Sequence, residues 1–199
     1  MSNAYRLIDD NIRGESYKNI LSLCFQYAEY FTLNDYHLYL GYDLPSRLEP
    51  FAVESFKTAH AFLNPTYGYD DNGALVPADK IKTTVYRATQ QAKEIISHIS
   101  NNIYLETDAI EIFDPTLNRI VSGTSWYGED LCFYKGDQLF FGTLSHEYEC
   151  VLYPPSREVL ILFQRHATWR EMNHYLQYAT RLSDYPISRK LREKIVRMV

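Results

Sequence analysis

Residues 109–164 constrain the fold more than any other part of the chain. Short apolar or aromatic runs alternate there with turn residues, which is the pattern of consecutive β-strands. Residues 109–113 and 119–123 flank Asp114-Pro115-Thr116-Leu117-Asn118, where Asp-Pro and Asn favour a hairpin connection. Residues 131–135 and 138–141 are joined by Gly136-Asp137, a strong hairpin turn. Gly142 suggests a bulge, after which the strand continues through Tyr153. Pro154-Pro155-Ser156-Arg157 then turns the chain into the apolar run 159–163. Such a run implies cover on both faces, so it is expected to be a central strand.

Helical spacing dominates on either side. Ser16 is expected to cap a first helix with Tyr17, Ile20, Leu21, Cys24, Tyr27, Ala28 and Phe31 on one face, ended by Asn34 and Asp35. A second is expected from Ser46 or Glu49 to Asn64-Pro65, with Leu48, Ala52, Phe56, Ala59 and Leu63 as its stripe. Residues 65–77 are expected to be a loop. Its Asp70-Asp71-Asn72-Gly73 cluster fails the calcium-loop pattern because Ala74 and Leu75 follow. A third helix, capped by Asp79, carries Ile81, Val85, Ala88, Ala92, Ile95, Ile99 and Ile103. Thr168-x-x-Glu171 resembles a capping box for a helix bearing Trp169, Met172, Leu176, Ala179 and Leu182. Ser188 is expected to cap a last helix with Leu191 and Ile195 inward.

The implied class is α+β, with an antiparallel sheet of about five strands over residues 109–164 packed against N-terminal and C-terminal helices. A single domain over 1–199 is expected, helical over 16–103, sheet over 109–164 and helical over 168–199. A split near residue 105 is the alternative. The 199 residues suffice for one core, and 46% hydrophobic with 23% charged residues argues against disorder. No apolar run approaches the roughly 20 residues of a membrane helix, and no secretory signal pattern opens the chain. Cys24, Cys132 and Cys150 are odd in number and widely spaced, which disfavours a disulfide framework or a C-x-x-C site. Buried thiols in a reducing, cytoplasmic setting are the expectation. No metal or cofactor is expected.

Strand alternation after Gly142, combined with a tight hairpin at 154–157, would place Ser145 opposite His166 and Glu147 opposite Gln164. One reading is therefore a catalytic site at the sheet end. In it His166 is the base, Glu147 its orienter or a general acid, and Ser145 a neighbouring hydroxyl. A solvated sheet end produces the same pattern. His146-Glu147 lacks the second histidine of H-E-x-x-H, because Cys150 stands there. There is no G-x-S-x-G elbow, phosphate loop or G-x-G-x-x-G fingerprint.

Charge is the stronger signal. From Glu106 to Glu149, nine acidic residues face only Arg119 and Lys135, a sum of −7. An acidic surface with aromatic anchors suits a basic protein partner. The partner-binding set is Asp114, Trp126, Tyr127, Glu129, Asp130, Asp137, Glu147 and Glu149. Nucleic acid is electrostatically opposed there. Residues 165–199 sum to +5, from eight basic and three acidic side chains, yet the basic last helix lacks interleaved aromatics. The leading expectation is a non-catalytic interaction protein, of the kind that inhibits or gives immunity to a basic toxin nuclease. The alternatives are a small-molecule binder or hydrolase-like enzyme using Ser145, Glu147 and His166, and a homodimer joined through tyrosine-rich surface. No membrane partner is expected.

Overall fold

The computed structural model describes residues 4–35, 44–58, 67–69, 75–77, 81–107, 110–114, 118–123, 127–172 and 181–197. Along the chain these form β1 (Ala4–Leu7), α1 (Gly14–Tyr27), β2 (Tyr30–Asp35), α2 (Leu44–Leu48), β3 (Ala52–Thr58), β4 (Tyr67–Tyr69), β5 (Leu75–Pro77) and β6 (Ile81–Arg87). Then follow α3 (Gln90–Ile99), β7 (Ile110–Asp114), β8 (Arg119–Gly123), β9 (Glu129–Lys135), β10 (Gln138–Leu144), β11 (Glu149–Leu152), α4 (Arg157–Gln164), β12 (Trp169–Met172) and α5 (Arg189–Val196).

The class is α+β, but the expected sheet of about five strands over 109–164 is wrong. The main sheet has eight strands in the order β12-β1-β11-β10-β9-β2-β6-β3, with antiparallel neighbours throughout. Five of them (β1, β2, β3, β6 and β12) come from outside residues 109–164. The β7–β8 hairpin, expected within the sheet, forms a separate two-stranded sheet among the described residues, as does β4–β5 in the stretch expected to be loop.

Three segments with helical spacing are strands, at least in part. Residues 81–87 (Ile-Lys-Thr-Thr-Val-Tyr-Arg) hold a β-branched run that prefers extended backbone. Their stripe at every fourth position also fits a period of two. The helix therefore starts only after Thr89, whose hydroxyl accepts from Ala92 N at 3.2 Å. Residues 52–58 likewise leave a short turn at Glu49–Phe51 and become β3, with Phe56 buried. Trp169–Met172 is β12 rather than the start of a helix, and the Thr168 amide donates to Asp9 Oδ2 at 2.7 Å. The remainder of that expected helix, residues 173–180, lies outside the described residues, as do 59–66 and 70–74.

The opposite error occurs at 159–163. This run is α4, not a central strand: Val159, Leu160 and Phe163 are buried while Ile161 is 44% exposed. Ser156 caps it through a hydrogen bond from Val159 N. Five consecutive apolar residues carry no readable period, and only tertiary packing separates the two states.

The expected continuous strand through Tyr153 is also broken. Ser145–Glu147 forms a single 3₁₀ turn, and Tyr148 adopts a left-handed conformation at φ 52°. The chain then reverses, so that Gly142 pairs with Val151 and Leu144 with Glu149. The register irregularity in β10 falls between Leu139 and Phe141, not at Gly142.

Alternation along the strands divides the core. Phe31, Leu33, Leu131, Phe133 and Phe141 pack with the buried sides of α1 to α4. Tyr30, Val85, Cys132 and Tyr134 pack on the other face with Leu182, Tyr185, Ile187, Leu191 and Ile195 from the C-terminal segment. Ser188 caps α5 as expected, accepting from Leu191 N. Among the described residues no helix is long and apolar enough to cross a membrane.

Candidate functional site

The eight acidic and aromatic positions expected to bind a partner do not form one exposed surface. Glu129, Asp130 and Asp137 are buried. Asp137 accepts from the amide and hydroxyl of Ser183 at 2.7 and 2.8 Å, which ties the C-terminal segment to the β9–β10 turn. Asp130 sits at φ 54° and accepts from Asn34 Nδ2 at 2.8 Å and from Ser145 N at 3.1 Å. Thr83 extends this interior network by donating to Asn34 Oδ1 at 2.6 Å. Tyr127 is half-buried against the core, and Glu149 is half-buried and paired with Arg6. Glu147 is exposed. Trp126 and the side chains of Asp114 and His146 lie outside the described residues.

The Ser145, Glu147 and His166 arrangement is not assembled. Its register required residues 159–163 to be a strand. Instead Ser145 is buried beside Asp130, Glu147 is exposed, and His166 follows the end of α4, its amide donating to Phe163 O. The hydrogen bonds of Ser145 run to Asp130: its hydroxyl accepts from the Asp130 amide at 3.3 Å and its amide donates to Asp130 Oδ1 at 3.1 Å. Among the described residues no group of three or more His, Cys, Asp or Glu is placed to hold a metal ion.

A different site lies where β1 and β12 meet the end of β11. It is a cleft of about 760 Å³, lined by residues 6–11, Arg13, Glu106, Tyr148, Arg170 and Met172. The volume falls inside the range of roughly 300–1,000 Å³ typical of small-molecule sites.

Strand pairing builds its centre. Arg6 of β1 stands directly opposite Arg170 of β12, with Leu7 opposite Trp169. Leu7 and Trp169 pack into the helix-covered core, so alternation turns Arg6, Arg170 and Met172 to the other face. Like charges directly opposite on antiparallel strands repel, with Cβ atoms only about 5 Å apart. Arg6 is relieved by Glu149 Oε1 at 2.7 Å. Among the described residues Arg170 has no carboxylate partner.

The loop from Ile8 to Arg13 forms the wall and is held at both ends. Ile8 N donates to Thr168 O at 2.9 Å, and Ile12 O accepts from Ile103 N at 3.0 Å. Gly14, at φ 59°, turns the chain into α1 and donates its amide to Asn101 O. Arg13 Nη2 meets Glu106 Oε2 at 2.7 Å, and Asn11 Nδ2 donates to the same oxygen at 3.3 Å. Glu106 Oε1 accepts from the Tyr148 hydroxyl at 2.9 Å. Asn102 fixes the backbone of Glu106 by bonding both its amide and its carbonyl.

The rim is rigid for the same reason. Tyr148 is held left-handed, its carbonyl accepts from the Tyr104 hydroxyl at 2.8 Å, and the two rings meet edge to face. Leu105, at φ 56°, sits beside them. Non-glycine residues in this region cost energy and persist where neighbours hold them in place. Partial burial and then the Glu106 hydrogen bond push the Tyr148 hydroxyl pKa up.

With three donors on its carboxylate, Glu106 serves to position Arg13 and Tyr148 and is not a free base. Arg170, the cleft guanidinium that no carboxylate among the described residues answers, suits recognition of an anionic group by charge-assisted hydrogen bonds. Sequence reasoning passed over Arg6, Arg13, Asp10 and Arg170 because nothing local marks them. Their proximity follows from pairing the first strand with the twelfth. Comparison of the chain with family models, curated proteins and solved structures finds no match.

Proposed function

We propose that the protein is a non-catalytic recognition module that binds a small anionic ligand in the cleft between β1, β12 and Tyr148. The observation that carries this reading is the Arg6–Arg170 cross-strand pair. It places two like charges side by side on the cleft wall, and one of them has no carboxylate partner among the described residues. An anion seated there relieves the repulsion and completes the hydrogen bonding of Arg170. The pre-set loop and the Glu106 anchor lower the ordering cost that binding would otherwise carry.

Capture of a basic protein through an acidic surface has less support, because three of the carboxylates it relies on are turned inward. Glu147 remains exposed for such a role.

The test is thermal unfolding of the wild type and of Arg170→Gln across a concentration series of succinate and of inorganic phosphate. A ligand that binds only the folded state raises the midpoint as its concentration passes Kd. The wild type should gain a saturable increase with at least one of these anions that Arg170→Gln lacks. A charge-assisted hydrogen bond worth about 2 kcal/mol corresponds to roughly thirtyfold in affinity. Identical curves for the two proteins would rule the site out.

A further inference from the structure

We infer that the ligand of this cleft is a zwitterion: a small molecule carrying a carboxylate at one end, a protonated amine at the other, and an apolar body between them. The inference rests on the reading of the cleft as an anion-binding site and adds the second charge.

It follows from which charges the cleft leaves unanswered. Arg13 is neutralised by Glu106 and Arg6 by Glu149. Asp9 accepts from the Thr168 amide at 2.7 Å, which holds its Oδ2 in place but leaves its negative charge next to Asp10. That leaves Arg170 and Asp10, with the Asp9 carboxylate beside it, all exposed, all lining the cleft, and none with an oppositely charged partner among the described residues. A ligand entering the cleft displaces water from both groups. A plain anion would satisfy Arg170 but strip solvent from Asp10 and repel it, and a plain cation would do the reverse at Arg170. Only a ligand bearing both signs leaves no buried charge unpaired.

The remaining wall agrees with an apolar middle. Ile8 is 40% exposed and Met172 is half-exposed, and both line the cleft. Tyr148 is 45% exposed and lines the cleft, so its aromatic ring is a candidate cation–π partner for an ammonium group.

The test is calorimetric titration of the full chain with aminocaproate, which spaces its two charges widely, and leucine, which spaces them closely. Caproate and hexylamine serve as single-charge controls. Aminocaproate should bind about tenfold or more tightly than either control, and more tightly than leucine, whose two charges share one carbon with no apolar body between them. Arg170→Gln should abolish the advantage over hexylamine, and Asp10→Asn the advantage over caproate. Both substitutions fall on exposed side chains, so neither should lower the unfolding midpoint; Asp10→Asn should leave it unchanged and Arg170→Gln should raise it slightly by removing the repulsion from Arg6. Caproate binding as tightly as both zwitterions would overturn the zwitterion inference and leave the anion site standing. No heat with any carboxylate, joined to the absence of an anion-dependent midpoint shift, would overturn both.

Discussion

Asp130 illustrates how a side chain that looks like surface charge becomes a structural part. It lies almost fully buried in the left-handed region and accepts hydrogen bonds from Asn34 and Ser145. Asp130→Ala leaves two buried donors without acceptors, each costing about 1–3 kcal/mol, and puts alanine at a positive φ that Asp and Asn tolerate better. The expected loss is on the order of 3 kcal/mol in chemical denaturation. Asp130→Asn keeps one acceptor and the backbone preference and should lose less. Equal stability of the alanine variant and the wild type would contradict this role. The cysteines make a parallel case: all three are free and buried, and burial pushes each thiol well above its ordinary pKa. Alkylation should be undetectable in the native protein and should rise with the unfolded fraction in denaturant.

At the scale of elements, α4 separates the two readings of its sequence most cleanly. Ile161→Lys places a charge on the exposed side of a helix and should change stability by no more than about 0.5 kcal/mol. In a central strand the same change would bury a lysine and unfold the protein. Phe163→Ala, on the buried side of the same helix, should cost about 3–5 kcal/mol.

What was legible in the sequence was local. Gly136-Asp137 specified its hairpin, Ser188 capped its helix, and Tyr17, Ile20, Leu21 and Cys24 marked the inward side of α1. Residues 81–87 and 159–163 were not legible, because apolar positions four apart satisfy both periods and a continuous apolar run satisfies neither. Tertiary pairing decided them: β6 fills the gap between β2 and β3, and α4 covers Phe141 and Trp169. The cleft was the least legible part, since Arg6 and Arg170 meet only once β1 is inserted between β11 and β12.

For the molecule as a whole, buried tyrosines lie in the cores on both faces of the eight-stranded sheet. Burial raises the pKa of Tyr17 and Tyr104 on the helix-covered side and of Tyr134 and Tyr185 in the core shared with the C-terminal segment. The fold therefore favours their neutral form, while the unfolded chain ionises near pH ~10. Their contribution is fully present below that pH. It falls above it by about 1.4 kcal/mol per pH unit for each tyrosine still neutral in the fold. Stability should be insensitive to these groups at neutral pH, and alkaline unfolding should coincide with a cooperative rise in tyrosinate absorbance. Gradual ionisation without unfolding would show that these rings are accessible. The same architecture separates two cationic regions that an anion could choose between, the Arg6–Arg170 wall of the cleft and the basic side chains of α5. Amide-resolved NMR titration with aminocaproate distinguishes them directly. Saturable shifts confined to residues 6–13, 105–106, 148–149 and 169–172, lost in Arg170→Gln, are the predicted result. Shifts that instead follow α5, or that persist unchanged in the variant, would contradict recognition through the cleft.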